Sequence, residues 1–146
     1  MFYSLEMAAP LKRKKLLKGF IFHVFKTEKK KLAELSFIFC SDKFLLTLNQ
    51  QYLGHNSYTD IITFDLSTTT QNIQAEVYIS LDRVKENAKI FRTSISEELL
   101  RVIFHGVLHL CGYKDKSELN KKEMRAREDY YLRNYLRYVS RETRST

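Results

Sequence analysis

The sequence predicts an α+β fold in which a small mixed β-sheet is packed with helices. Short apolar segments of strand length alternate with segments whose apolar residues recur at helical spacing. One helical segment, 95–111, is apolar on nearly every side, which is typical of a helix that runs through the core. The 146 residues contain a single proline and no Gly/Ser-rich linker, so we expect one domain over 1–146.

The first half of the chain is expected to alternate helices and strands. A helix is predicted to begin at Pro10, because proline suits the first helical turn and apolar residues follow it at helical spacing. The apolar run LSFIFC (35–40) predicts a buried strand, and KFLLTLNQQYL (43–53) predicts a second helix. TDIITFDL (59–66) alternates apolar and polar residues as a strand does, and the polar stretch STTTQN (67–72) predicts a loop after it.

One more strand is predicted before the chain becomes helical. AEVYIS (75–80) predicts a strand that pairs with its predecessor, and LDRVKENAKIF (81–91) predicts a helix. Ser94 and Glu97 have the spacing of a capping box, so we expect the central helix to begin there.

The end of the chain predicts a turn followed by a long helix. Gly112 suits the left-handed conformation that ends many helices, so the central helix is expected to stop before it. The segment 116–139 predicts a charged amphipathic helix, and residues 139–146 are expected to be frayed. The order of the strands in the sheet does not follow from the sequence.

Composition excludes some functional classes and favours others. The formal net charge of +8 favours polyanionic partners, although a solvated surface rich in lysine explains it equally well. The apolar runs fall far short of the roughly 20 residues that cross a bilayer, so we expect no membrane partner. Cys40 and Cys111 both lie inside apolar segments and indicate no disulfide framework, which predicts a cytoplasmic protein.

Two histidines on the central helix are candidate metal ligands. His105 and His109 are four residues apart, so their imidazoles project from the same helix face about one turn apart. That spacing suits two ligands of a single divalent ion, although two core histidines with satisfied hydrogen bonds would produce it too. The glutamate that serves as the base in HExxH metalloproteases is replaced by Gly106, which argues against peptide hydrolysis.

Asp115 could supply a third ligand from beyond the turn at Gly112. A site with three protein ligands and an open fourth position is the arrangement of catalytic zinc, whereas structural zinc sites have four protein ligands. Asp115 and Glu118 also have capping-box spacing, so Asp115 could cap the last helix instead. Spacing alone favours neither role.

The segment HGVLHLCGYKD (105–115) resembles the signature HGxLHLxGYDH of the YbeY family of bacterial endoribonucleases. LNQQYLGHNSYTDIITF (48–64) resembles the family segment LNxxYRxxxxxTDVLSF, and AEVYISLDRVKENA (75–88) resembles its GDIxIS strand and following helix. The resemblance implies a metal-dependent endoribonuclease specific for single-stranded RNA. It further implies a role in maturation of the 3′ end of small-subunit ribosomal RNA and in ribosome quality control.

The resemblance also implies a metal site and identifies two departures from the family pattern. It favours His105, His109 and Asp115 as the ligands of one divalent ion, expected to be zinc, with aspartate in place of the third histidine. An anionic ligand leaves less net charge on the site, so bound water should be acidified less. The second departure is Leu53, which replaces an arginine of the family pattern. His55 is the nearest residue that could take over the catalytic role of that arginine. The alternative is that His55 is a surface loop histidine without such a role.

Three functions are therefore open. The first is a metal-dependent hydrolase that cuts single-stranded RNA, with ribosomal RNA and the small ribosomal subunit as partners. The second is a ribosome-assembly factor that binds RNA while its metal site is structural or weakly active. The third is a hydrolase with another substrate, because two histidines and a carboxylate form a chemically versatile site. No residue can be assigned to RNA binding from the sequence.

Overall fold

The computed structural model describes residues 1–5, 9–69 and 72–144. Its sheet has four strands in the order β1-β2-β4-β3. The strands are β1 (Phe2–Ser4), β2 (Lys31–Cys40), β3 (Ile61–Asp65) and β4 (Asn72–Ser80). β1, β2 and β4 are parallel, whereas β3 runs antiparallel to β4. The predicted α+β fold with a mixed sheet is confirmed, as is the pairing of β3 with β4.

Helices follow the strands and cover the sheet. They are α1 (Lys14–Thr27), α2 (Asp42–Leu48), α3 (Leu81–Phe91), α4 (Ile95–Leu110) and α5 (Glu118–Arg144). A π-helical turn at Asn49–Leu53 continues α2 and ends at Gly54, which has a left-handed backbone with φ of 68°. None of the described helices is long and apolar enough to span a membrane.

Several boundaries differ from the predicted ones for local reasons. The first helix begins at Lys14 instead of Pro10, because Arg13 before it has a left-handed backbone that cannot continue a helix. β1 was not predicted, since three residues are too few for a periodicity to appear. The last helix continues to Arg144, and fraying of its final turns stays a prediction.

The central helix α4 is packed on several sides, as its apolar sequence predicts. It contacts α1, α3 and α5 and lies against β3 and β4. A Cβ atom at Gly106 would come within 2.9 Å of Ile61 Cδ1 and 3.3 Å of Val77 Cγ1, so this glycine lets the helix approach the sheet closely. The histidines on either side of the contact therefore lie near the edge strand β3.

Both ends of α4 have the predicted capping residues. Ser94 Oγ accepts a hydrogen bond from the backbone N–H of Glu97 at 3.0 Å, and Ser94 has the extended backbone of an N-cap. At the other end, Gly112 has a φ of 105°, which an L side chain rarely adopts. The chain therefore turns sharply after α4 and returns toward the histidines.

Candidate metal centre

The structure brings the three predicted ligands together. Asp115 Oδ2 lies 3.2 Å from His105 Nε2 and 3.2 Å from His109 Nε2. One ligand atom from each of the three residues lies within 4.8 Å of the others. The two imidazole rings are 4.6 Å apart between centroids and nearly perpendicular, with an angle of 82°. The three donors therefore converge on one point in front of the end of α4.

Hydrogen bonds behind the two imidazoles fix which nitrogen faces Asp115. His109 Nδ1 lies 3.0 Å from the carbonyl oxygen of Tyr113, and His105 Nδ1 lies 2.5 Å from Glu128 Oε2. Both partners accept hydrogen bonds, so each Nδ1 carries the proton and donates it. With Nδ1 occupied in this way, Nε2 of each imidazole faces Asp115, which is the orientation of metal-ligating histidines.

The competing role of Asp115 as a helix cap is performed by another residue. Ser117 Oγ accepts from the backbone N–H of Asn120 at 3.0 Å, and Ser117 O accepts from Lys121 N–H at 2.9 Å. Ser117 is therefore the N-cap of α5. The carboxylate of Asp115 is directed at the two histidines instead.

A buried ion-pair network supports His105 from α5. Glu128 is only 4% exposed, and its second oxygen, Oε1, accepts from Arg101 Nη1 at 3.2 Å. Arg101 also pairs through Nη2 with Asp129 Oδ1 at 2.8 Å. Burial lowers the pKa of His105, but the hydrogen bond and charge of Glu128, with help from other carboxylates, raise it above the ordinary 6.5. Glu128 thus holds His105 in position, and the nearby carboxylates surround it with negative charge.

Two clefts meet at the candidate metal centre. A cleft of about 690 Å³ separates it from the segment that follows the π-helical turn, and a second of about 570 Å³ lies between α3, α4 and α5. His105 and Asp115 line both clefts. We call the larger one the catalytic cleft. An extended ligand could therefore pass the three donors on either side.

Two carboxylic acids near the centre, the buried Glu98 and the partly buried Asp60, were not singled out from the sequence. Asp60 precedes β3 and lines both clefts, and Glu98 lies on α4 in the smaller one. Burial raises the pKa of Asp60 above its ordinary value, although the charge of His105 opposes the shift. Burial likewise raises the pKa of Glu98. A raised pKa favours the neutral acid, and a cation bound nearby would favour the carboxylate form of both groups instead.

His55 and Leu53 both reach the catalytic cleft. Leu53 is the last residue of the π-helical turn and His55 lies two residues after it; both line the cleft together with the three candidate ligands. Leu53, at the position of the family arginine, is 48% exposed. Tyr58 lines the same wall, is 57% exposed, and has the Arg83 guanidinium 5.2 Å from the centre of its ring. The structure places His55 near the centre, and its catalytic role stays a prediction.

The donor set fits a divalent ion. Two imidazole nitrogens and one carboxylate oxygen are ligands that zinc accepts, and three protein ligands leave a fourth position for water or substrate. Manganese and iron accept the same donors, so the chemistry of the site does not identify the metal.

The chain matches the family model described as "Endoribonuclease YbeY" over residues 6–136. A protein of Cytophaga hutchinsonii with that name is 43% identical over 131 residues, which cover 90% of this chain and 92% of the relative. Another, from Flavobacterium psychrophilum, is 50% identical over 107 residues, covering 73% and 76% of the two chains.

A solved structure has a similar fold. The solution structure of TM1509 from Thermotoga maritima has a TM-score of 0.65 and 29% sequence identity. The alignment covers 97% of this chain and 93% of that one. The likeness therefore extends over almost the whole molecule.

Proposed function

The chain belongs to the YbeY family of endoribonucleases, and from that premise we propose that it cuts single-stranded RNA with the help of one divalent metal ion. The observation that carries the proposal is the convergence of His105, His109 and Asp115 on one point in the catalytic cleft. Zinc is the proposed metal, since it is commonly bound by two histidines and a carboxylate in catalytic sites. The proposed cellular role is maturation of the 3′ end of small-subunit ribosomal RNA and ribosome quality control in the cytoplasm.

The chain's own residues have distinct roles in this chemistry. A divalent ion bound there would acidify a water and polarise the scissile phosphate. The three donors would hold the ion, while Glu128 and the Tyr113 carbonyl keep the two imidazoles oriented.

Substrate positioning falls to other residues that line the catalytic cleft. Tyr58 exposes one side of its ring and is steadied by Arg83, so it suits stacking with an unpaired base. Lys116 lines the cleft beside Asp115 and can meet a phosphate, and His55 is the proposed group near the developing phosphoryl charge. An unpaired strand suits this cleft, because stacking needs a base that is free of a duplex.

The proposal is tested by measuring metal content and RNA cleavage on the same preparations of four proteins. We compare the wild type with His109→Ala, Asp115→Ala and, as control, Glu97→Ala, an exposed residue of the same helix. We expect about one metal per chain and cleavage of a single-stranded oligonucleotide in the wild type and the control. Both ligand variants should lose the metal, and their cleavage rate should fall at least about a hundredfold, because the metal supplies the reactive water.

Two results would contradict the proposal in different ways. If Asp115→Ala keeps its metal and cuts RNA at the rate of Glu97→Ala, Asp115 is not a ligand. If the wild type carries metal and binds RNA but never cuts it, the chain is an RNA-binding assembly factor with a structural metal site. The replacement of the family arginine by Leu53 makes that second outcome worth testing, because it removes a cation from the cleft.

A further inference from the structure

The net charge of the protein comes from one segment. Residues 12–31 contain nine lysines and arginines and one acid, which gives this segment a formal charge of +8. The whole chain has 25 basic and 17 acidic residues, so the remainder has 16 of each and is neutral. The basic balance is therefore a local property of α1 and its flanks and does not describe the surface as a whole.

The cations of α1 lie on the helix face opposite the core. Leu17, Ile21 and Val24 are buried against the rest of the protein. Lys15, Lys18, Phe22 and Lys26 follow one another at three- and four-residue spacing, so they form a single exposed stripe. Phe22 is 45% exposed in the middle of this stripe. No acidic side chain in the described part of the chain forms an ion pair with these three lysines.

The one acid of the segment does not compensate these charges. Glu28 has a side chain only 10% exposed, and it points to the connection between α4 and α5. Its carboxylate accepts hydrogen bonds from the hydroxyls of Tyr113 and Tyr131 and pairs with Arg127. The charge of Glu28 is therefore already neutralised, and the three lysines of the stripe have no counter-charge among the residues that the structure describes.

The second half of α5 extends the charged surface. Arg137 and Arg141 line a groove of about 440 Å³ between α5 and α1, opposite Gly19 and His23. Among the described residues, no neighbouring atom lies within 4 Å of the position of a Cβ atom at Gly19, so the groove is open there. We call the exposed stripe of α1 together with these two arginines the α1/α5 basic face.

We propose that the α1/α5 basic face binds the phosphate backbone of single-stranded RNA outside the catalytic cleft. The inference rests on the proposed RNA substrate and adds a second contact surface to it. The stripe extends from Lys15 to Lys26, 12 residues of α1 or about 18 Å, which is enough for several phosphates. Lysines meet phosphates as point charges, and Phe22 offers a flat surface on which a base can stack.

The position of α1 relates this face to the candidate metal centre. Glu28 is the residue directly after α1, and its hydrogen bond to Tyr113 ties that end of the helix to the connection that carries Asp115. An RNA strand bound along α1 can therefore reach the connection between α4 and α5, which lies beside the candidate metal centre. The face suits RNA better than a bilayer, because a single exposed aromatic among the cations supplies little apolar area for insertion.

The test measures RNA binding in EDTA, where metal-dependent cleavage cannot occur. The probe is a fluorescent 20-nucleotide oligouridylate, titrated by anisotropy between low and high salt. The triple variant Lys15→Gln, Lys18→Gln and Lys26→Gln is compared with Lys43→Gln, Lys85→Gln and Lys89→Gln, which removes the same charge from exposed sites elsewhere. Glutamine keeps the helix propensity of lysine, so both variants should fold.

We expect the α1 variant to bind roughly 10- to 100-fold more weakly near 0.1 M salt. The slope of log affinity against log salt should become shallower by about 2, because three phosphate contacts are lost. The control should lose much less affinity and keep the slope. Phe22→Ala should weaken binding about fivefold or more with its slope unchanged, since stacking releases no counterions.

Each other result overturns the inference. Equal losses in the two triple variants would show that only total charge matters. Binding to vesicles containing phosphatidylserine that depends on the three α1 lysines, with RNA affinity unchanged, would assign the face to membranes. Cleavage is measured separately, in the comparison of the ligand variants, so RNA that the wild type binds but never cuts there contradicts the proposed function alone. RNA that is cut, but bound equally by both variants, contradicts only the α1/α5 basic face.

Discussion

Glu128 contacts two different cationic or donor groups with its two carboxylate oxygens. One oxygen accepts from Nδ1 of His105 and the other from Arg101, and the side chain is almost fully buried. A buried carboxylate is costly unless it is paired, so its position depends on both partners being present. In turn it makes His105 a more basic ligand through the Nδ1 hydrogen bond.

Glu128→Gln should therefore weaken metal binding without removing a ligand. We expect zinc affinity to fall about 10- to 100-fold, since the amide keeps a similar shape but loses the charge that polarises His105. The measurement is a zinc titration against a chromophoric chelator. Glu123→Gln, an exposed residue of the same helix, is the control and should bind zinc as the wild type does. Equal zinc affinity in the two variants would mean that Glu128 serves the fold and not the metal.

The three ligand candidates could be predicted because their spacing is local, whereas their supporting residues could not. His105, His109 and Asp115 all lie within 11 consecutive residues, and the helix period and the turn at Gly112 bring them together. Glu128 comes from another helix and depends on how α4 packs against α5. A signal was present, since Glu128 lies four residues after Met124 and four before Leu132, both buried, in an otherwise charged helix.

At the scale of elements, the two helical glycines have opposite surroundings. Gly106 of α4 faces the sheet, where Val77 is fully buried, while a Cβ atom at Gly19 of α1 would have no neighbour within 4 Å in the described part of the chain. Removing glycine from a helix interior gains roughly 0.5–1 kcal/mol wherever the added methyl fits. The same substitution at the two positions therefore separates helix propensity from packing.

Gly19→Ala should raise the free energy of unfolding by about 0.5–1 kcal/mol, and Gly106→Ala should lower it by about 1 kcal/mol. The Ile61 methyl can rotate away from a new Cβ at Gly106, but the stiff side chain of Val77 cannot. Urea unfolding of both variants provides the measurement, with Gly19→Ala as the matched control. If Gly106→Ala is as stabilising as Gly19→Ala, the packing of α4 against β4 has room for the added methyl group, and the expected clash with Val77 is wrong.

The kinds of element were predictable, and several boundaries were not, because boundaries depend on tertiary pairing. β2 begins at Lys31, four residues before the predicted apolar run, since its polar start pairs with Asn72 and Ile73 of β4. β4 is likewise longer than its apolar segment. The predicted loop 67–72 includes Asn72, which belongs to β4, and residues 70 and 71 lie outside the described residues. Strand partners supply hydrogen bonds that a polar sequence does not reveal.

At the scale of the whole molecule, the candidate metal centre links separate parts of the chain. Two candidate ligands come from α4, the third comes from the connection to α5, and Glu128 on α5 contacts His105 from behind. An unfolded chain does not hold these donors together, so a bound ion favours the folded state. The net positive charge of the molecule lies on a different surface from this centre, because it comes from the cations of α1 and its flanks. Metal and RNA should therefore each stabilise the fold through different residues.

Zinc should raise the melting temperature of the wild type measurably. A free concentration 100-fold above the dissociation constant adds about 2.7 kcal/mol. In a chain of this size that amounts to an increase of roughly 5–10 °C. Calorimetry in EDTA and in excess zinc measures the shift. His23→Ala, which changes a histidine of α1 outside the centre, should keep it, and Asp115→Ala should lose most of it because one of the three donors is gone. An undiminished shift in Asp115→Ala would place the stabilising ion elsewhere on the protein, and its loss in His23→Ala would make α1 part of the metal site.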